Sequence, residues 1–147
     1  MERSDAEAKE ALRQLALTVL RRHAGPEADA QAIAAAADRA YDDLARVLAP
    51  VIGDIGVSAL TDRALHVAQR EYPWLVRTHE GAPADRTFSH VIASLKGQDP
   101  AVATDAAGAV FAMFLGVLAT FIGEPLAARL VRQAWPGDFS GAHTEET

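Results

Sequence analysis

The sequence predicts an all-α domain of five or six helices, packed as a bundle or orthogonal array around one apolar central helix at about residues 100–122. Three observations support this. Half of the 147 residues are hydrophobic but only 6% are aromatic, so strong helix formers such as Ala and Leu carry the apolar content. Apolar residues recur at helical spacing in segments separated by Gly and Pro. The stretch between Asp105 and Glu124 contains no charged residue, so it suits the centre of the core.

The length of the chain fits one domain. We assign residues 1–136 to a single helical domain. Residues 137–147, with the sequence GDFSGAHTEET, are expected to form a disordered tail. A chain of this size can bury roughly two-thirds of its unfolded surface, so it needs no disulfide or structural metal to fold.

The first half of the chain predicts three helices, at residues 4–23, 27–49 and 57–72. Pro50 should end or kink the second helix because proline lacks the N–H and crowds the preceding turn. The composition of residues 53–56, Gly-Asp-Ile-Gly, indicates a turn. The second helix is the most clearly amphipathic, and its predicted inner face comprises Ala37, Tyr41, Leu44, Leu48 and Val51.

The second half begins with the longest predicted irregular stretch, residues 73–86, in which Trp74, Leu75 and Val76 should pack against the core. A short helix is expected at 87–95. The central helix should start at Asp99-Pro100, an acidic N-cap followed by proline, and break at Gly123. A last helix is expected from Glu124 to about Trp135.

The chain contains an internal similarity between VLAPVIGD at residues 47–54 and VLATFIGE at residues 117–124. Both segments end an apolar helix with a glycine followed by an acid, and an amphipathic helix follows each. Glycine tolerates positive φ at such a corner, and the acid favours the N-terminus of the next helix. A duplicated helical hairpin and chance similarity in a chain rich in Ala, Leu and Val both explain the match.

The central helix carries small residues four apart on one face: Gly108, Ala112, Gly116 and Thr120. Such a face lets another helix approach closely. The partner is expected to be the second helix, or the same helix of another subunit in a homodimer. Residues 106–122 are also long enough to raise a membrane span as an alternative, but acids rather than Lys or Arg flank them, so we favour a buried helix.

The charge and the absence of cysteine limit the partners and the compartment. A net charge of −6 argues against nucleic acid as a ligand. The absence of Cys fits a reducing compartment, and the charged N-terminus lacks the apolar segment of a secretory signal, so we expect a cytoplasmic protein. The preference for Arg over Lys, with only Lys9 and Lys96 present, suggests a GC-rich bacterial genome.

Four residues are candidates for contact with a ligand or partner. His79 lies in the irregular stretch together with Trp74, and Arg129 and Arg132 are neighbours on the last helix. The histidines show none of the spacings of a metal site, so we assign no metal. Nucleophile, phosphate-binding and dinucleotide-binding motifs are missing from the sequence, so we assign no catalytic residue and no cofactor.

His90 is a candidate phosphoacceptor. The segment Phe88-Ser89-His90 resembles the phosphoacceptor box of sensor histidine kinases, in which an acid follows the histidine and assists phosphoryl transfer. Val91 occupies that position here. The segment Ser94-Leu95-Lys96-Gly97 resembles the histidine-phosphotransfer motif, in which the histidine lies three residues before the lysine; here that residue is Ala93. The resemblance implies a signalling domain related to histidine kinases, in a degenerate form.

We therefore expect a small helical interaction or regulatory module that works through contacts with another protein or with itself. A phosphotransfer-related signalling domain is the first alternative. A protein that binds a small ligand under the 73–86 loop is the second.

Overall fold

The computed structural model describes residues 4–25, 29–75 and 84–136, with side chains from residue 10 in the first range and from residue 88 in the last. Five helices make up this part of the chain, and it contains no strand. They are α1 (Ser4–Ala24), α2 (Ala30–Ala68), α3 (Ala84–Lys96), α4 (Pro100–Ile122) and α5 (Glu124–Ala134). The predicted all-α fold is confirmed.

Helix α2 folds back on itself at Gly53, whose φ of 81° and ψ of 163° are not helical. The Tyr41 and Thr61 hydroxyl oxygens lie 2.7 Å apart across this corner. A straight helix would separate positions 41 and 61 by about 30 Å, so the two limbs of α2, residues 30–52 and 54–68, form a helical hairpin. Counted as two limbs, α2 brings the helices to six.

The predicted central helix is confirmed, and α2 shares its central position. Both α2 and α4 pack against each of the other helices. On α4 the buried side chains include the predicted bulky residues, which are Phe111, Phe114, Leu115 and Leu118. Burying side chains of this size, at roughly 1.5–3 kcal/mol each, supplies the driving force that brings the surrounding helices together.

The small-residue face of α4 is covered by α1 of the same chain. A Cβ built on Gly108 would lie 2.8 Å from Cδ2 of Leu17, and one on Gly116 would lie 3.7 Å from Cδ1 of Leu12. The expectation that the second helix or another subunit covers this face is therefore wrong at Gly108 and Gly116, where α1 approaches closely. Thr120, at the end of the stripe, is exposed.

Aromatic rings join α2, α3, α4 and α5 in the core. The rings of Tyr41 and Phe88 stack at 4.0 Å, Phe88 lies 5.8 Å from Phe111, and Phe111 lies 6.0 Å from Trp135 in an edge-to-face contact. The indole N–H of Trp135 donates a hydrogen bond of 3.1 Å to the carbonyl of Ala40. This bond satisfies the polar atom of a side chain that is only 2% exposed.

The helix boundaries differ from the predictions where tertiary structure decides them. The chain stays helical through Pro50 and breaks three residues later, because only Gly53 adopts positive φ. Of the predicted turn at 53–56, only Gly53 leaves the helical conformation, and Val51 is 48% exposed rather than part of the inner face. The second limb of α2 ends at Ala68 rather than at Tyr72.

The predicted N-cap of α4 is confirmed, because the Asp99 carboxylate accepts a bond from the N–H of Ala101. Helix α2 begins at Ala30 rather than near residue 27, because the Asp29 carboxylate caps it by accepting a bond from the N–H of Ala32. Helix α3 begins at Ala84, inside the stretch predicted to be irregular. Leu75 is buried as predicted. Residues 76–83 and the predicted tail at 137–147 lie outside the described residues.

Two of the described helices are long and apolar enough to cross a membrane, judged by length and composition alone. They are α2 and α4, whose most apolar 18-residue stretches have mean hydropathies of 1.5 and 1.9. In α4, 56% of that stretch is buried inside the domain. The core helix of a soluble protein meets the same criteria.

Candidate functional site

A groove of about 730 Å³ runs between the two limbs of α2 and the side of α3. We call it the acidic groove. Its described lining residues are Asp38, Tyr41, Asp42, Ala45, Ala49, Asp54, Ile55, Val57, Ser58, Ala59, Asp62, Phe88 and Ser89. Helical spacing places them: positions 38, 42, 45 and 49 lie on one face of the first limb, and positions 54, 58 and 62 lie on one face of the second.

The charge of this groove has one sign. Asp38, Asp42, Asp54 and Asp62 line it, and its described lining includes no lysine or arginine. Asp42 forms an exposed ion pair of 3.4 Å with Arg46. Within the described ranges the other three carboxylates take part in no ion pair, so their charge is available to a ligand.

The floor of the groove is apolar and held in place. The Tyr41 and Phe88 rings are nearly parallel, with an interplanar angle of 7°. The Thr61 hydroxyl donates a bond of 2.8 Å to the carbonyl of Val57, so the Tyr41 hydroxyl is the donor in the 2.7 Å bond to Thr61. The bond between Tyr41 and Thr61 joins the two limbs of α2 below the groove, and the bond to Val57 orients the Thr61 hydroxyl within the second limb.

The edge of the groove carries an exposed hydrophobic side chain. Ile55 is 86% exposed, the highest value among the large hydrophobic residues whose side chains are described, and it lines the groove directly after Asp54. Exposed isoleucine beside carboxylates forms a surface that is apolar and anionic together. Such a surface suits a ligand that has both an apolar face and positive charge.

A second groove of about 320 Å³ lies between α1, α4 and α5. Its walls are mostly apolar, with one acid and one base, Glu124 and Arg132. The apolar members are Ala11, Leu12, Leu15, Leu115, Ala119, Ala127, Ala128 and Val131. It is smaller than the acidic groove and its charges balance.

Three of the four residues predicted as ligand or partner contacts are described, and only Arg132 lines one of the two grooves. Arg132 lines the second groove, and Arg129 is exposed elsewhere on α5. Trp74 is half-buried and packs edge-to-face on Tyr72 with ring centroids 5.9 Å apart. His79 lies outside the described residues.

His90 is exposed on α3, and its carbonyl accepts a bond of 3.0 Å from the Ser94 hydroxyl. The acidic groove includes its neighbour Ser89 but not His90 itself. Across the described ranges, no three His, Asp or Glu side chains lie close enough together to hold a metal ion. The carboxylates of the acidic groove are therefore spread over a surface rather than converging on one point.

Sequence reasoning missed the carboxylates of the acidic groove. By helical spacing, Asp38, Asp42 and Asp62 belong to the polar sides of their amphipathic segments, and such residues usually face solvent. In the structure all three line the groove between the two limbs. The available signal was the spacing of Asp54, Ser58 and Asp62 at intervals of four directly after a glycine corner.

One titratable side chain outside both grooves is perturbed. The Tyr72 hydroxyl accepts a long hydrogen bond of 3.5 Å from the guanidinium of Arg13. Burial raises the pKa of Tyr72 above its usual 10.0, the negative charges of Asp105 and Glu71 raise it further, and Arg13 opposes the shift.

Comparisons with protein-family models, with curated proteins and with solved structures gave no match to this chain.

Proposed function

We propose that this protein is a helical interaction module whose acidic groove binds a basic, amphipathic segment of a partner protein. The observation that carries the proposal is a groove of about 730 Å³ with a rigid aromatic floor, four aspartates and an exposed isoleucine at its edge. Lysine or arginine of the partner faces the carboxylates while apolar side chains cover Ile55 and the floor.

The spread of the carboxylates favours an extended ligand over a small one. Asp38 and Asp42 lie on one limb of α2, while Asp54 and Asp62 lie on the other. Across the described ranges, no three of these carboxylates lie close enough together to hold one metal ion. A helix with basic residues on one face and leucines on the other spans both, because its side chains at i, i+3 and i+4 share a face.

The test uses two fluorescein-labelled helical peptides that differ only in charge, one with lysines and one with glutamates opposite a leucine face. Fluorescence anisotropy with the full chain measures binding. We expect binding of the lysine peptide only, with affinity falling as salt rises. Equal binding of both peptides, or of neither, contradicts the proposal.

Paired variants separate the groove from the general negative charge of the protein. Asp38→Asn with Asp54→Asn removes two carboxylates of the groove, and each should lower the affinity about two- to five-fold, as expected for exposed ion pairs. The matched control, Glu71→Gln with Asp105→Asn, removes two exposed charges outside the groove. Equal loss in both pairs would show that only net charge matters.

Substitution of Ile55 tests the apolar part of the site. Because Ile55 is 86% exposed, Ile55→Ser should leave the free energy of unfolding within about 0.5 kcal/mol of wild type. The same change removes apolar contact at the groove edge, so affinity for the lysine peptide should fall. Unchanged affinity would remove Ile55 from the site.

Phosphotransfer at His90 is a second candidate function. The exposure of His90 on α3 supports it, because a phosphoacceptor must be reached by the donor. Incubation with radiolabelled phosphodonor kinases, with His90→Gln as the control, tests it. Label on wild type and not on the variant supports phosphotransfer, and absence of label from wild type ends it.

We propose that the module works in the cytoplasm, either with another protein or with a second copy of itself. The absence of cysteine supports a reducing compartment, and the burial of the apolar part of α4 inside the domain supports a soluble protein. Light scattering without detergent tests solubility and self-association. A monodisperse monomer or dimer is expected, and aggregation relieved only by detergent contradicts it.

A further inference from the structure

The described part of the chain contains the same helical unit twice, seventy positions apart. Asp29 and Asp99 both cap a long helix through their carboxylates. Gly53 and Gly123 both end that helix with positive φ, at φ 81° and ψ 163° and at φ 94° and ψ 148°. An acid follows each glycine and begins the next helical segment. The similarity between residues 47–54 and 117–124 is therefore matched by one repeated backbone geometry.

The burial pattern repeats with the same offset. Twelve pairs of positions seventy apart are buried in both halves. They are Ile33 and Ala103, Ala36 and Ala106, Ala37 and Ala107, Ala40 and Val110, Tyr41 and Phe111, Leu44 and Phe114, Leu48 and Leu118, Val57 and Ala127, Leu60 and Leu130, Thr61 and Val131, Ala64 and Ala134, and Leu65 and Trp135. Matching capping, corner geometry and burial describe two copies of one helical hairpin.

The two grooves occupy equivalent places in the two hairpins. Ala49, Asp54 and Val57 line the acidic groove, and their counterparts Ala119, Glu124 and Ala127 line the second. Each groove also contains residues of the helix preceding the other hairpin, Phe88 and Ser89 of α3 in the first and Leu12 and Leu15 of α1 in the second. The same scaffold thus produces two grooves that differ in volume and charge.

Six pairs of equivalent positions line both grooves, and only Ala49 and Ala119 carry the same side chain. Asp54 and Glu124 keep the charge, Val57 and Ala127 differ in size, and three further pairs differ. Ala45 corresponds to Leu115, Ser58 to Ala128, and Asp62 to Arg132. The first exchange changes the volume of the wall and the third reverses its charge. The second exchanges one small side chain for another.

We infer that Ala45 and Asp62 determine the specificity of the acidic groove for a basic amphipathic ligand. Ala45 leaves the space that Leu115 occupies in the second groove, and Asp62 supplies negative charge where the second groove has a base. This inference rests on the proposed function, since it assigns the residues that select the ligand of the same groove.

The test replaces each residue by its counterpart from the other hairpin. The double variant Ala45→Leu, Asp62→Arg gives the acidic groove the bulky side chain and the base that the second groove carries at these two positions. We expect at least about a ten-fold loss of affinity for the lysine peptide, from steric filling together with charge reversal. Val51→Phe is the matched control, because it is also an exchange with the counterpart, Phe121, at an exposed position outside the described lining of both grooves, and it should change affinity less than about two-fold.

The outcomes separate the inference from the proposed function. If wild type binds the lysine peptide and the double variant binds it equally well, the specificity assignment is overturned while the proposed function stands. If wild type fails to bind the lysine peptide, both the specificity assignment and the proposed function are wrong. The urea midpoint checks folding of the double variant. If that variant is unfolded, Asp62→Arg alone, at a half-exposed position, repeats the test and must lower affinity by itself.

Discussion

The hydroxyl oxygens of Tyr41 and Thr61 lie 2.7 Å apart and join the two limbs of α2 below the acidic groove. Both residues are buried, and the Thr61 hydroxyl donates a hydrogen bond to the carbonyl of Val57. A helix that would otherwise run straight is thereby held as a hairpin, and the groove exists because the outer faces of the two limbs meet.

Removal of this contact should weaken the fold. Tyr41→Phe leaves the buried Thr61 oxygen without its donor, so the free energy of unfolding should fall by about 1 kcal/mol. Urea unfolding measures the change. Tyr72→Phe is the control, because the Tyr72 hydroxyl is half-exposed and accepts only a 3.5 Å bond. An equal loss of unfolding free energy in both variants would show that the bond between Tyr41 and Thr61 does not contribute more to stability than the exposed bond of Tyr72.

The glycine corners should tolerate no side chain. Gly53→Ala and Gly123→Ala each place a Cβ on a residue with positive φ and extended ψ, a region essentially restricted to glycine, and each should cost about 1–3 kcal/mol. Thermal or urea unfolding measures the loss. Gly97→Ala serves as the control, since Gly97 does not have positive φ and its Cβ would lie at an ordinary contact distance of 3.8 Å from the carbonyl oxygen of Ser94. Tolerance at Gly53 would contradict the corner geometry.

Two glycines on one face of α4 should respond in opposite directions to the same substitution. Gly108→Ala brings a Cβ within 2.8 Å of Leu17, and the resulting overpacking should destabilise the protein by about 1 kcal/mol or more. Gly116→Ala meets Leu12 at 3.7 Å, an ordinary contact, and should stabilise it by up to about 1 kcal/mol through helix propensity. Equal effects would show that α1 does not approach closest at Gly108.

Stability should decline at alkaline pH through Tyr72. Its pKa is raised in the folded state, chiefly by burial, so the unfolded chain loses this proton first as pH increases. The stability linked to Tyr72 is therefore complete below about pH 10 and is lost as pH rises through the folded-state pKa. Urea midpoints across this range should fall less steeply for Tyr72→Phe than for wild type. An identical slope in the variant would contradict the assignment.

Local signals in the sequence predicted the fold well, and tertiary contacts account for what they missed. Asp99 and Gly123 mark the ends of α4 through their own conformations and side chains, so they are readable from sequence alone. Pro50 was expected to end or kink the second helix. A proline in the last turn of the first limb removes only one hydrogen bond of the helix, whereas Gly53 changes the direction of the chain. The cover of Gly108 by Leu17 depends on the placement of α1, which periodicity does not specify.

The acidic groove could not be predicted from the residue pattern of any single helix. Asp38 and Asp62 each lie on the polar side of an amphipathic segment, and such residues usually face solvent. Only the fold-back at Gly53 turns two polar faces toward one groove. The seventy-residue offset from Asp29 to Asp99 and from Gly53 to Gly123 was present in the sequence and would have aligned the two hairpins position by position.

The most direct test of the central claim locates the bound peptide by NMR. Titration of the isotope-labelled full chain with the unlabelled lysine peptide should shift the backbone amides of Asp38, Asp42, Asp54 and Asp62 and of Ser89, while the amides of Leu115 and Val131 in the second groove stay in place. Shifts confined to the second groove, or an absence of saturable shifts around Asp54 and Asp62, would contradict the assignment of the acidic groove as the binding site.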